Sequence, residues 1–400
     1  MADGERAGVG LPPGRIPTLD GVRAVAIGLV LCGHAIGTGV IPMNTRFAHL
    51  FGGVGVRAFF VLSGFLITTL LVRERRRSGR ISLGGFYMRR VLRIFPAFYT
   101  YVGVTCLLAA AGVVTLRDGD LIAAATYTTN FHAERAWATG HLWSLAVEEQ
   151  FYLVWPLLVV GLGLTRSWSF AVAAIVLAPV MRLALWYLAP EHRGLVDQAF
   201  PCVFDALATG CVVALAADRL LASPRLHALV DSKWFWALPA LGLAPLFIST
   251  PWLRFGVGMT TANFAIACVI LRCVMRPSDA VGRFLERPTM IWIGTLSYSL
   301  YLWQQLFVNR HGGHWVHEFP FNIVVAFAAA VVCHYLIERR FLSLGSRWRD
   351  RPVVLPMAQL PSLLSSDPVI DVAPRTQRRP STATLSLASL SPAVDNDRPE

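Results

Sequence analysis

The sequence predicts an all-α, polytopic transmembrane bundle of about ten helices with both termini in the cytosol, and three observations carry that expectation. The 400 residues are 55% hydrophobic and only 15% charged, with a mean hydropathy of +0.53, a composition suited to lipid rather than water. Ten stretches approach the roughly 20 apolar residues that a spanning helix needs. Arginines gather between those stretches on alternate sides, as the positive-inside rule requires.

Taken in order, residues 1–16 form a polar amino-terminal segment with Arg6 and Arg15. It has no short apolar core followed by a small-residue cleavage site, so no cleaved signal peptide is expected and the amino terminus stays inside. The apolar stretches lie at about 21–41, 50–72, 94–114, 142–164, 168–188, 200–217, 234–249, 256–275, 289–309 and 321–341, the seventh being the weakest. The first cytosolic loop carries Arg73, Arg75, Arg76, Arg77, Arg80, Arg89, Arg90 and Arg93 against Glu74 alone. Later inside loops agree, with Arg219, Arg225 and Lys233, then Arg272, Arg276, Arg283 and Arg287, then Arg339, Arg340, Arg347 and Arg349. The membrane domain is therefore placed at 17–345 and a disordered cytosolic tail at 346–400, rich in Pro, Ser, Thr and Asp.

The net charge of +12 then reports orientation in the bilayer and not nucleic-acid binding. Seven cysteines lie in or beside apolar stretches without CxxC pairs, which fits buried small hydrophobes better than disulfides or zinc. His311, His314 and His317 lack a carboxylate cluster, so no metal site is expected. No internal repeat of the transporter kind is visible.

Ionisable side chains inside spans are costly and mark functional sites when they face the bundle interior. Arg23 and His34 are eleven residues apart, which places them on one helical face about 16 Å apart along the axis. The same rise puts Arg57, Glu148, Arg182, Asp205, Asn263 and Gln304 near the depth of His34, implying a polar layer. For most of that layer, interhelical hydrogen bonding is a sufficient account. His34 is the exception, because an imidazole can take a proton from an alcohol. Arg90 and Arg93, three apart on one face, suit phosphate through their forked guanidinium groups, although topology alone accounts for most of their loop. Ser63 has no base beside it in sequence, and His334 with Glu338, four apart, are placed to bond each other.

Several segments, in order, resemble the acyltransferase-3 family of membrane O-acyltransferases: LDGVRAVAIGLVLCGH, GVGVRAFFVLSGFLITTLL, FYMRRVLRIFPAFY, GHLWSLAVEEQFYLVWPLL, GTLSYSLYLW and IERRFLSL. The resemblance covers roughly residues 17–345. It implies a ten-helix bundle in a bacterial cell membrane that moves an acetyl or short acyl group from acyl-CoA to a hydroxyl. On that basis His34, Arg23 and Glu148 are the catalytic candidates and Arg90 and Arg93 the coenzyme contacts. Arg57, Asp205 and Gln304 are candidates for binding the acceptor. Arg57 stands where the family often has Asp, and Gln304 where it commonly has His. Many family members that modify the cell envelope carry a further hydrolase-like domain for which this chain is too short, so the resemblance points to stand-alone enzymes acting on macrolides or sugars. An antibiotic acceptor is accordingly the first expectation, and an envelope glycan or lipid the alternative.

In this reading acyl-CoA is anchored at Arg90 and Arg93, and its pantetheine arm runs along the Arg23/His34 face. His34, oriented by Glu148, deprotonates the acceptor; a covalent acyl-histidine route stays open. A proton-coupled transporter built on His34, Glu148 and Asp205 is the rival of another class, and a receptor or scaffold using the tail is a third. The partners expected are acyl-CoA, a hydroxylated small molecule or glycan, and the lipid bilayer.

Overall fold

A computed structural model describes residues 15–36, 38 and 45–346. Residues 1–14, 37, 39–44 and 347–400 lie outside them, and with them the expected tail beyond Ser346 and the location of both termini. Among the described residues all regular structure is helical. The bundle is built from α1 (Pro17–Ala35), α2 (Thr45–Ser78), α3 (Leu83–Ala110), α4 (Leu142–Leu188), α5 (Phe200–Leu215), α6 (Ala237–Leu243), α7 (Met259–Met275), α8 (Pro288–Phe307) and α9 (Phe321–Cys333).

Local chemistry sets several boundaries. Pro17 opens α1, where its missing N–H leaves no bond unmade, and Asp20 in the first turn complements the helix dipole. Ser82 caps α3 by accepting from Gly85 N at 3.3 Å. Gly163 interrupts α4 at φ 75°, ψ 169°, a left-handed conformation that glycine adopts without penalty.

Among the described residues seven helices are long and apolar enough to cross a membrane, against the ten stretches read from the sequence. The stretches 142–164 and 168–188 both lie in α4, separated by the kink at Gly163. The stretch 234–249 yields only the short apolar segment Ala237–Phe247. In α8 the residues Thr295, Ser297, Ser299, Gln304 and Gln305 dilute the apolar character that length alone suggested.

Burial sorts the helices into a centre and a lipid-facing shell. The most apolar windows of α1 and of the helix Phe47–Ser78 are 67% and 72% buried, against 28% for α3 and 22% for Trp137–Leu188. On α3 and α4 the exposed side chains include Leu107, Leu153, Leu157, Val176, Leu177 and Val180, which face lipid at no hydrophobic cost.

Glycine governs the central contacts. A side-chain carbon on Gly33 would lie 2.6 Å from Gly52 N, and one on Gly55 would lie 2.8 Å from Val30. Helices α1 and α2 are therefore antiparallel at backbone distance, Gly33 beside Gly52 and Val30 beside Gly55, as small residues permit in membrane bundles. Gly64 and Gly210 do the same between α2 and α5, and Gly294 against Asp20 between α8 and α1. Where α2 ends, Arg76 pairs with Asp218, Arg272 with Asp279 at 2.7 Å and Arg276 with Asp231 at 2.7 Å. Hydrogen bonds from Arg276 hold the Asp231 carboxyl below the usual range.

Replacing Gly210 by Ala drives a methyl group into the Val61 carbonyl and should destabilise the bundle by about 1–3 kcal/mol. Gly161→Ala, which meets no neighbour, serves as the control. Thermal unfolding in nanodiscs reads the difference, and equal midpoints for the two variants would show that the α2–α5 approach is not tight.

Candidate functional site

The α1–α2 register fixes where the polar side chains lie. With Gly33 beside Gly52 and Val30 beside Gly55, continuing two antiparallel helices at equal rise brings Ser63 level with Arg23. The site consequently has two levels: one at the end where α1 finishes and α2 begins, the other toward the arginine-rich end.

His34 belongs to the first level. Its Nδ1 lies 2.9 Å from Gln304 Oε1; an amide oxygen only accepts, so Nδ1 carries the proton and Nε2 is left as the basic nitrogen. The ring meets Trp137 edge-on at 5.8 Å. His34, Trp137, His141, Tyr301 and Arg310 line a cavity of about 260 Å³. His141 Nε2 lies 3.0 Å from the Leu302 carbonyl, to which it donates by the same logic. Its Nδ1 is buried and has no hydrogen-bond partner among the described residues. Arg310 donates to the Gly33 carbonyl at 3.3 Å and lies 4.9 Å over the Trp137 ring.

The second level gathers around Arg23. Asp20 accepts from Arg23 at 2.8 Å and from Arg15 at 2.6 Å. Ser63 Oγ donates to Glu148 Oε1 at 2.7 Å, and Tyr152 donates to Ser63 at 3.1 Å. Arg90 lies 5.3 Å over the Tyr152 ring and 5.6 Å over Phe86. Glu148 is thus at the level of Arg23 and does not orient His34. The side chain that meets His34 Nδ1 is Gln304, where the sequence reading had Glu148 orient the ring. Along the face joining the levels, Ile27 and Val30 are fully buried.

Arg57 and Asp205 form a third group. Arg57 Nη1 donates to Asn263 Oδ1 at 3.0 Å and lies 3.8 Å from Asp205. Asp205 is fully buried and accepts from Arg182 at 2.9 Å and Thr260 at 2.7 Å. Those bonds both go to Oδ2 and tie Asp205 into a buried network, while its Oδ1 has no hydrogen-bond partner among the described residues. Arg57 itself lines a second cavity of about 400 Å³. Elsewhere His334 Nδ1 and Glu338 lie 2.9 Å apart as their spacing implied, with Ser299 donating to Glu338.

His141, Ser63 and Tyr152 were not singled out by sequence as site residues. The signal for His141 was its place at the start of a span, at the same end of the bundle as His34. Ser63 needed the helix register, because its carboxylate partner is 85 residues away in sequence.

The family model described as an acyltransferase domain matches residues 16–339. The chain is similar to "Putative peptidoglycan O-acetyltransferase YrhL" of Bacillus subtilis, 30% identical over 85% of this chain and 57% of that protein. It is also similar to O-acetyltransferase OatA of Staphylococcus aureus, 28% identical over 82% of this chain and 57% of that protein. The chain therefore spans less than two thirds of the length of these relatives. No solved structure matches it significantly.

The Arg182–Asp205 contact generates a stability prediction. Removing one partner of a buried pair leaves an uncompensated charge, at about 3–5 kcal/mol, so Arg182→Ala should lower the thermal midpoint sharply. The double variant Arg182→Met with Asp205→Leu should recover much of it. An Arg182→Ala protein as stable as the parent would show that the network carries no structural load.

Proposed function

Because this chain belongs to the acyltransferase-3 family, whose model covers most of its length, we propose that it is a membrane O-acetyltransferase. Its donor is acetyl-CoA or a short-chain acyl-CoA, and its acceptor is a hydroxyl on a cell-envelope glycan such as peptidoglycan. The observation that carries the chemistry is His34, tied at Nδ1 by Gln304 so that Nε2 is the basic nitrogen, in the wall of a cavity. The similarity to a putative peptidoglycan O-acetyltransferase of Bacillus subtilis favours an envelope glycan over the antibiotic acceptor that the sequence first suggested.

In this reading the arginine-rich end is cytosolic. Arg90 and Arg93 hold the nucleotide phosphates there, and Arg23, braced by Asp20, adds positive charge beside them. The pantetheine arm reaches from this level toward His34, whose separation of about 16 Å along α1 it can span. At His34 the acceptor hydroxyl gives its proton to Nε2 as its oxygen attacks the thioester carbon. The tetrahedral intermediate then expels the coenzyme thiolate, and the imidazolium returns the proton to that sulfur, so no net proton is gained or lost. Gln304 keeps the ring in the tautomer this requires, and holding both substrates in one geometry supplies further acceleration.

His34→Ala should leave a folded protein that binds acetyl-CoA but transfers at least about a hundredfold more slowly, the lower range for losing a general base. Transfer to glycan in nanodiscs, followed by mass spectrometry, measures this; a near-parental rate ends the general-base assignment.

Arg90→Ala and Arg93→Ala should chiefly weaken acetyl-CoA binding, with Arg90→Lys restoring part of it because the charge survives and the fork does not. Unchanged affinity in both alanine variants would reduce these arginines to orientation signals.

A further inference from the structure

The cavity beside the His34 chamber has an unbalanced charge. Arg57 is only 7% exposed and lines this space. Its nearest carboxylate, Asp205 at 3.8 Å, is already bound by Arg182 at 2.9 Å, so one carboxylate serves two guanidinium groups. The remaining charged residues lining the two cavities are Arg254, Arg310 and Asp197. Among the described residues the walls therefore hold more cations than anions, even after Asp197 is assigned to a neighbour. A surplus cation in an environment of low dielectric is expensive unless a counter-charge reaches it.

The rest of the lining describes what that counter-charge is attached to. Phe60, Trp143 and Phe247 give aromatic surface, which packs against the apolar faces of sugars. A volume of about 400 Å³ lies in the range of small-molecule sites. His49, Gly53, Val56, Trp143 and Asp197 line both cavities, so a ligand in one adjoins His34 in the other. We infer that this cavity is the acceptor subsite and that it selects an anionic sugar, with Arg57 binding its carboxylate or phosphate while a hydroxyl of the same molecule faces His34. A forked guanidinium matches both anions. The inference rests on the acyl-transfer reading for the role of His34, and the anion site itself stands on the charge balance.

The test separates the two. Full-length protein in nanodiscs is titrated, without acetyl-CoA, with an N-acetylglucosamine tetrasaccharide bearing lactyl carboxylates and with its carboxamide derivative; acetyl transfer to each is measured in parallel. The carboxylate form should bind on the order of ten- to a hundredfold more tightly, as a charge-assisted bond supplies. Arg57→Gln should abolish that preference and Arg57→Lys retain part of it. N-acetylglucosamine 1-phosphate, used as competitor, distinguishes the anions: displacement of the glycan extends the site to phosphate, and failure to displace confines it to carboxylates. If Arg57→Gln does not fold, the preference of the parental protein and its reduction in Arg57→Lys decide the matter. Equal binding of carboxylate and carboxamide by the parental protein overturns the inference whatever happens to transfer. A binding preference without any transfer leaves the anion site in place and overturns the acyl-transfer reading.

Discussion

The backbone contact between α1 and α2 determines the remaining geometry. Glycines at 33 and 55 let two antiparallel helices meet without intervening side chains, and in a bilayer such contact is a main source of association, because lipid tails are as apolar as leucine. The contact also sets a register. Once Gly33 lies beside Gly52, the basic imidazole is at one end of α1, and Arg23 with the Ser63–Glu148 pair is about three turns away. A larger residue in the seam would separate the helices and blur the division between the Arg23 level and the His34 level.

Much of the bundle was legible in the sequence, because apolar stretches of spanning length and clustered arginines are imposed directly by the bilayer. Positions His34 and Arg23 on one face also followed from helical period alone. Partner choice did not. Depth counted along separate helices put Glu148 near His34, whereas register and tilt carry it to Arg23 and leave Gln304 as the group that fixes the imidazole. Asp205 looked available because sequence reports a carboxylate but not the two donors, Arg182 and Thr260, that saturate one of its oxygens. The number of long apolar helices differs from the number of stretches for a related reason: 142–188 counts once although Gly163 breaks it by its dihedral angles, and α8 carries buried polar residues that a hydropathy criterion rejects.

Buried polar groups also tie the helices to one another. Asp205 accepts from Arg182 and Thr260, and Glu338 meets His334 and Ser299. Such bonds hold helices together in an environment that offers no water. Among the described residues several buried polar atoms nevertheless have no hydrogen-bond partner, Asp205 Oδ1 in the first of these networks and His141 Nδ1 at the cavity wall among them.

The fully buried Ile27 and Val30 between the two levels have a consequence for the cell that houses the protein. A continuous wet path from the arginines to the cavity would be a conductance, and any membrane holding a proton gradient would be discharged through it. Ile27 and Val30 present branched aliphatic side chains on this face of α1, so an arm passing between the two levels would fill an apolar passage, and such a passage offers little to support a file of water when the arm is absent.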